Sequence, residues 1–178
     1  MNRNDFYDFE ELEYYEKRKF HSLEMNIPHQ FTFDDLYIIP FSKKRVFDEN
    51  GEVHYIAIER NFSPSGIHLL DELVKEIYHD TFSAHSFCKE RKLEERQLQA
   101  FVTILTGMTP STLFTRWKIR NALMYLRYTD MDISQVAIES GFRTSGAMRH
   151  ALQSTKELKP TTLRRFLQQK NDLGRYIR

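Results

Sequence analysis

One cysteine, Cys88, stands among 178 residues. A lone thiol rules out an internal disulfide and a cysteine-built zinc knuckle, and it fits a reducing cytoplasm. The histidines (His21, His29, His54, His68, His79, His85 and His150) fall at no HxH, HxxxH or HExxH spacing, so the sequence offers no metal site. No GxGxxG or GxxxxGKS/T phosphate loop occurs, nor a GxSxG elbow, so no nucleotide or other cofactor is expected. Acid pairs such as Glu10-Glu11 and Glu94-Glu95 stand in charged runs, where solvation accounts for them. These absences argue against an enzyme. No apolar run reaches the length of a membrane span, and the first residues, MNRND, lack the apolar core of a signal peptide.

A net charge of +1 hides an asymmetry. Residues 1–66 carry 8 Lys and Arg against 13 Asp and Glu, whereas residues 67–178 carry 18 against 12. The basic part suits a phosphate-bearing partner, because neutralising phosphates releases condensed counterions. Composition and length fit two small domains or one domain with an appendage. The boundary is expected at the turn-rich stretch Asn61-Phe-Ser-Pro-Ser-Gly66.

Residues 2–25 are acidic and aromatic, and they read as a docked helix or as an arm that orders on a partner. Between 31 and 60 the pattern turns to strands. Leu36–Phe41 is a β-rich run that Pro40 pushes to a sheet edge. Arg45-Val-Phe-Asp and Val53–Ile58 flank Asn50-Gly51, the pair favoured in a type I′ hairpin turn. Three strands are too few for a barrel, which leaves little room for a small-molecule effector.

From Ile67 the period becomes 3.6, with Leu69, Leu70, Leu73, Val74 and Ile77 on one stripe. These helices complete one another's apolar faces, so residues 67–178 are expected to fold alone. Ser83 is placed to cap a helix through Phe87 and Cys88, and Lys92-Leu93 turns the chain into Glu94–Thr106. There Leu98, Phe101, Val102 and Leu105 face inward, while Arg96, Gln97, Gln99, Ala100 and Thr103 face outward. Pro110 opens a helix running to about Tyr128. Asp132 caps a further helix through Ile133, Val136 and Ala137, and Gly141 supplies the left-handed residue that stops it. Thr144 or Ser145 caps a last helix that buries Met148, Ala151 and Leu152 and leaves Arg149, His150 and Gln153 outside. Helix, glycine turn and helix with a polar outer face is the pattern of a helix-turn-helix. The same residues alone fit an ordinary helical hairpin.

Read together, GMTPSTLFTRWKIRNA (from Gly107) and VAIESGF (from Val136) resemble the AraC/XylS family of transcription regulators. The matching positions are Gly107, Thr109, Pro110, Lys118, Ala122, Val136, Ala137, Gly141 and Phe142, with Pro160 where the family's last helix begins. Lys118 replaces a preferred arginine, Met148 and Leu152 replace phenylalanines, and Glu157 replaces a glycine. The resemblance covers about residues 67–168.

It implies a mainly α double helix-turn-helix domain at 66–178, behind a small α+β region with a β-hairpin at 1–65. Helix-turn-helix 1 falls at about 82–107, the linker helix at about 111–128 and helix-turn-helix 2 at about 132–158. The implied function is sequence-specific regulation of transcription, with two recognition helices reading adjacent major-groove segments of double-stranded DNA. A linker of about 17 residues spans about 26 Å, compatible with the ~34 Å between successive groove faces. The expected contacts are Arg96, Gln97, Gln99 and Thr103 from the first helix. The second offers Arg143, Thr144, Ser145, Arg149, His150 and Gln153, and Arg164 and Arg165 follow as phosphate contacts. RNA polymerase or a second copy of the chain are further partners. The rival reading is a protein–protein interaction module on the same scaffold, because Glu94 and Glu95 repel phosphate at the start of the first recognition helix.

Overall fold

The computed structural model describes residues 28–58, 64–156, 159–168 and 173–178, without the side chains of 154–156. The expected N-terminal helix at 2–25 and the Glu157 departure lie outside the described residues. The elements in order are α1 (Phe33–Leu36), β1 (Lys43–Phe47), β2 (Val53–Ala57), α2 (His68–Tyr78), α3 (Ala84–Arg91) and α4 (Glu95–Thr106). Then come α5 (Pro110–Tyr128), α6 (Ile133–Glu139), α7 (Ser145–Lys156), α8 (Pro160–Leu167) and β3 (Tyr176–Ile177). The chain is mainly α-helical with one small antiparallel sheet. No helix among the described residues is long and apolar enough to cross a membrane.

The chain divides into two compact units, with one edge between them inside the expected stretch 61–66, but each unit draws on residues from both sides of it. The first holds the described residues of 28–38 and 64–117; the second holds those of 39–58 and 118–178. In the first, Leu70, Leu73, Val74 and Ile77 of α2 meet Phe87, Cys88, Leu98, Val102, Leu113 and Trp117 in one buried cluster. Phe33 and Leu36 of α1 belong to the same cluster. The apolar stripes after residue 67 are therefore not complete by themselves. The Trp117 ring meets Phe33 edge-on at 6.0 Å and Tyr37 at 5.2 Å.

Residues 36–41 do not form the expected strand. Thr32 and Asp35 build a reciprocal capping box, in which the Asp35 carboxylate accepts from the Thr32 N–H at 2.7 Å. That cap nucleates the single turn of α1, and Tyr37 donates to the Phe33 carbonyl at 2.9 Å. Leu36 is thereby committed to a helix end, and Pro40 has no N–H to give a ladder.

In the second unit β1 is the middle strand of the order β2-β1-β3. Its partners run antiparallel, from Lys43↔Ala57 to Phe47↔Val53 on one side and Lys43↔Ile177, Lys44↔Tyr176 on the other. The hairpin forms where expected, but its turn is of another type. Asp48 donates to Glu52 at 3.0 Å, so Glu49, Asn50 and Gly51 make a three-residue loop. Gly51 is left-handed at φ +80, whereas Asn50 has no positive φ. This is the arrangement in which the left-handed residue follows an ordinary turn, and it needs one such residue where type I′ needs two. The Asp48 carboxylate accepts from the Glu52 N–H at 2.8 Å, lies 3.1 Å from His54 Nε2 and accepts from the Asn50 N–H at 2.9 Å, and these contacts hold its pKa below the usual carboxylate range. Behind the sheet Phe41 stacks on Tyr176 at 5.1 Å and meets Tyr125 edge-on at 5.4 Å. Val136, Ala137, Met148, Leu152, Pro160, Leu163 and Leu167 are buried on α6, α7 and α8.

Candidate nucleic-acid interface

Each unit holds one helix–turn–helix, and the two turns close with the same pair of backbone bonds. After α6, Gly141 donates to the Ile138 carbonyl at 2.9 Å and Phe142 to Ala137 at 2.8 Å. After α3, Lys92 donates to Lys89 at 3.3 Å and Leu93 to Cys88 at 2.9 Å. Both are Schellman closures, which require a left-handed residue just past the helix. Gly141 adopts it at φ +81 and Lys92 at φ +55. A side chain in that conformation costs about 1–2 kcal/mol, so the first turn is the more strained of the two. Its sequence conceals the turn for the same reason, since lysine gives no such signal. Cys88 is a core residue, and burial pushes its thiol pKa up.

The helices leaving these turns are capped differently. Thr144 caps α7, its hydroxyl accepting from the Ala147 N–H at 3.0 Å. Met148 and Leu152 are buried beneath, in the places the expected pattern gave them. Arg143, Thr144, Arg149 and His150 are exposed, and Ser145 and Gln153 are half-buried. Gly146 and Ala147 are exposed as well. A Cβ added at Gly146 would meet only the Thr144 hydroxyl at 3.7 Å, so the first turn of α7 is lean enough for close approach. Charge-based reasoning passed over these two residues, and their small size at a capped helix start was the available signal.

At α4 the Gln97 side-chain oxygen accepts from the Glu94 N–H at 2.9 Å, and Arg96 reaches back to the Glu94 carboxylate at 3.0 Å. His85 lies 3.5 Å from the Glu95 carboxylate. Arg96, Gln97, Gln99 and Ala100 are exposed as expected. Thr103 is not: at 9% exposure it is buried, and its place in the outward set is corrected. The N–H groups of Gln30 and Phe31 both donate to the Leu105 carbonyl, at 3.0 and 2.9 Å, which lays the preceding segment across the last turns of α4. The outer stripe instead continues through Ile104, which is 67% exposed.

The two arginines after Pro160 also part ways. Arg165 is exposed. Arg164 turns inward and its Nη2 donates to the Met131 carbonyl, just ahead of the α6 cap Asp132. Burial lowers its pKa, while Asp130 and Asp132 pull the other way. The Arg164 guanidinium is thus committed to the fold, which corrects its expected role at phosphate.

Residues 87–165 match a family model described as a helix-turn-helix domain. Over 80 residues the chain is 30% identical to the HTH-type transcriptional activator RhaR of Enterobacter sp. (strain 638). That match covers 43% of this chain and 28% of the activator, so the chain spans under a third of its relative's length. Two solved structures share the fold. The DNA-binding domain of AdpA, a global transcriptional factor in complex with a target DNA, matches at TM-score 0.50 and 20% identity, over 55% of this chain and 90% of that one. The C-terminal domain of AraT, a response regulator from Geobacillus stearothermophilus, matches at TM-score 0.53 and 16% identity, over 62% and 92%. The paired turns, the long α5 and the sequence match agree: over residues 87–165 the chain carries a helix-turn-helix domain, similar to those of the AraC/XylS family of transcription regulators.

Proposed function

We propose that this protein regulates transcription by placing α4 and α7 in two adjacent major-groove segments of double-stranded DNA, with α7 as the stronger anchor. The observation that carries this reading is the pair of identically bonded turns, each followed by a helix with an exposed polar face. α7 presents Arg143, Thr144, Ser145, Arg149, His150 and Gln153 with no acid among them. α4 presents Arg96, Gln97 and Gln99, but Arg96 is tied to Glu94 at 3.0 Å, so its net pull on phosphate is weak. Arg149 is the base reader, able to hold guanine O6 and N7 with two bonds, and Arg165 holds phosphate.

The test pairs two substitutions in fluorescence anisotropy across a salt series, on a site selected from a random duplex pool and on random duplex. Arg149→Ala should cost about 1–3 kcal/mol on the selected site and relax preference at one position. Arg165→Ala should weaken all sequences alike and flatten the salt slope by about one unit. Equal, sequence-independent losses from both would refute the assignment of Arg149. One observation favours a second reading, a protein-interaction module: the Glu94 and Glu95 carboxylates stand exposed where the first recognition helix begins. A wild type that binds no duplex at low salt would select it.

A further inference from the structure

β2 is, among the described residues, an edge strand with nothing guarding its edge. Among the described residues only β1 pairs with it. All of its residues are exposed. Val53 is 50% and Ile56 51% exposed, and the neighbouring Phe47 is 63% exposed. Natural edge strands are blunted by lysine, proline, a bulge or an inward charge. Val53-His54-Tyr55-Ile56-Ala57 has none of these, and its ladder to β1 runs without interruption.

The ladder also says which groups are free to pair. Asp48 bonds to Glu52, and Ile58 donates to Ser42 at 2.9 Å. Residues 52, 54, 56 and 58 therefore turn their N–H and C=O toward β1, because antiparallel strands alternate hydrogen-bonded and non-bonded pairs. Val53, Tyr55 and Ala57 turn theirs to the outer edge. The hairpin is polar along its length as well. Asp48, Glu49 and Glu52 sit at the turn, and Lys43 and Lys44 sit at the open end.

We propose that β2 is a dimerisation strand: two copies of this chain pair antiparallel along β2, about a two-fold axis at Tyr55, and join their sheets into one. In this register Tyr55 exchanges both backbone bonds with Tyr55 of the other copy, and Val53 pairs with Ala57 in both directions. Every outward group of the strand is then bonded. The acidic turn of each hairpin comes beside the basic open end of the other, so charge favours the antiparallel arrangement. Registers shifted toward the turn bring the two acidic ends together, and registers shifted the other way bring the lysines together. The interface is isologous, so it closes at a dimer and does not propagate as a fibre. On one face each Tyr55 hydroxyl donates to the Gly174 carbonyl of its own chain at 2.9 Å, so the ring leans over β1 beside its cross-strand neighbour Arg45 and only the Cβ ends of the two tyrosines meet at the axis. β2 shares no residue with α4 or α7, so failure of the DNA reading leaves the proposal untouched, and the converse also holds.

The experiment is sedimentation equilibrium of the full chain without DNA, at rising concentration, with circular dichroism melts as the control for folding. The wild type should show a reversible monomer–dimer equilibrium. Tyr55→Lys and Tyr55→Glu each place like charges on the axis, and each should raise the dissociation constant by about tenfold or more. Mixing the two variants in equal amounts should restore the dimer, an outcome that general damage to the hairpin cannot give. Ala57→Pro removes an outward N–H without touching the ladder to β1, and it should weaken the dimer too. A wild type that stays monomeric throughout would overturn the proposal and assign the strand to a different partner. So would charge variants that dimerise like the wild type, or a mixture that fails to recover.

Discussion

Arg164 and Arg165 are adjacent in sequence, yet the structure gives them opposite tasks, and a single pair of mutants separates the tasks. Arg164 donates to the Met131 carbonyl and so pins the segment leading into α6. Arg165 is exposed on α8. Consider Arg164→Met, which keeps the aliphatic stem and removes the charge. The lost bond is charge-assisted, worth about 1.5–3 kcal/mol. Relief of a partly buried guanidinium, whose Nε has no hydrogen-bond partner among the described residues, returns part of this. A net loss of about 1–2 kcal/mol remains, equivalent to roughly 3–6 °C in Tm for a chain of this size. Arg165→Ala should leave Tm unchanged and weaken DNA binding at every sequence. The assay is a thermal melt by circular dichroism beside anisotropy at a temperature well below both transitions. If Arg164→Met melts like the wild type but binds DNA more weakly, the inward assignment of Arg164 is wrong.

The two helix-turn-helix turns should respond in opposite senses to exchange of their left-handed residues. Gly141→Ala forces a side chain into that conformation and should destabilise by about 1–2 kcal/mol, whereas Lys92→Gly should stabilise by up to about 1 kcal/mol, both read by urea unfolding. The Glu72 carboxyl is held below its ordinary pKa by its hydrogen bond to Arg91, 2.8 Å away. A depressed carboxylate contributes stability that is fully present above its unfolded-state value of about 4.3 and fades as the pH falls through the folded-state value. Glu72→Gln should therefore lower Tm near neutrality and converge on the wild type as the pH falls through the folded-state value, which shallows the acid side of a Tm-against-pH profile. An acid limb as steep as the wild type's would show that this pair contributes nothing to acid stability.

Much of the second unit was legible because its signals are local. Asp132 and Thr144 each start a helix through a side-chain cap, Gly141 ends one through its left-handed backbone, and Met148 and Leu152 follow at helical spacing. The first unit was harder to read. Lys92 carries the turn without a glycine, and Thr103 passes for an outward residue until residues 30 and 31 are seen to bond to Leu105. The run Tyr37-Ile38-Ile39 has strand composition, but the capping box at Thr32 and Asp35 had already taken the adjoining residues. A helical wheel also cannot say which of two neighbouring arginines bends inward, since that depends on the Met131 carbonyl, far away in sequence. The same holds for β3, whose two residues are too few to show a pattern. One edge between the units does fall in the expected stretch 61–66, but the residues on its two sides are not one unit each, because Phe33 and Leu36 help to fill the first unit's core.

The pairing of β1 with β3 has a consequence for synthesis on the ribosome. Lys44 is paired with Tyr176, so the middle strand waits for a partner made about 130 residues later. At 5–20 residues per second that wait is on the order of 10 s. During it the β1–β2 hairpin has both outer edges unpaired, while the helices of the first unit already have all of their sequence. The nascent protein is therefore most exposed to wrong strand pairing at a predictable stage, after α2–α4 have emerged and before Tyr176 has. A substitution that weakens β3 lengthens that stage even where it barely alters the stability of the finished fold, and it should register first as aggregation during expression.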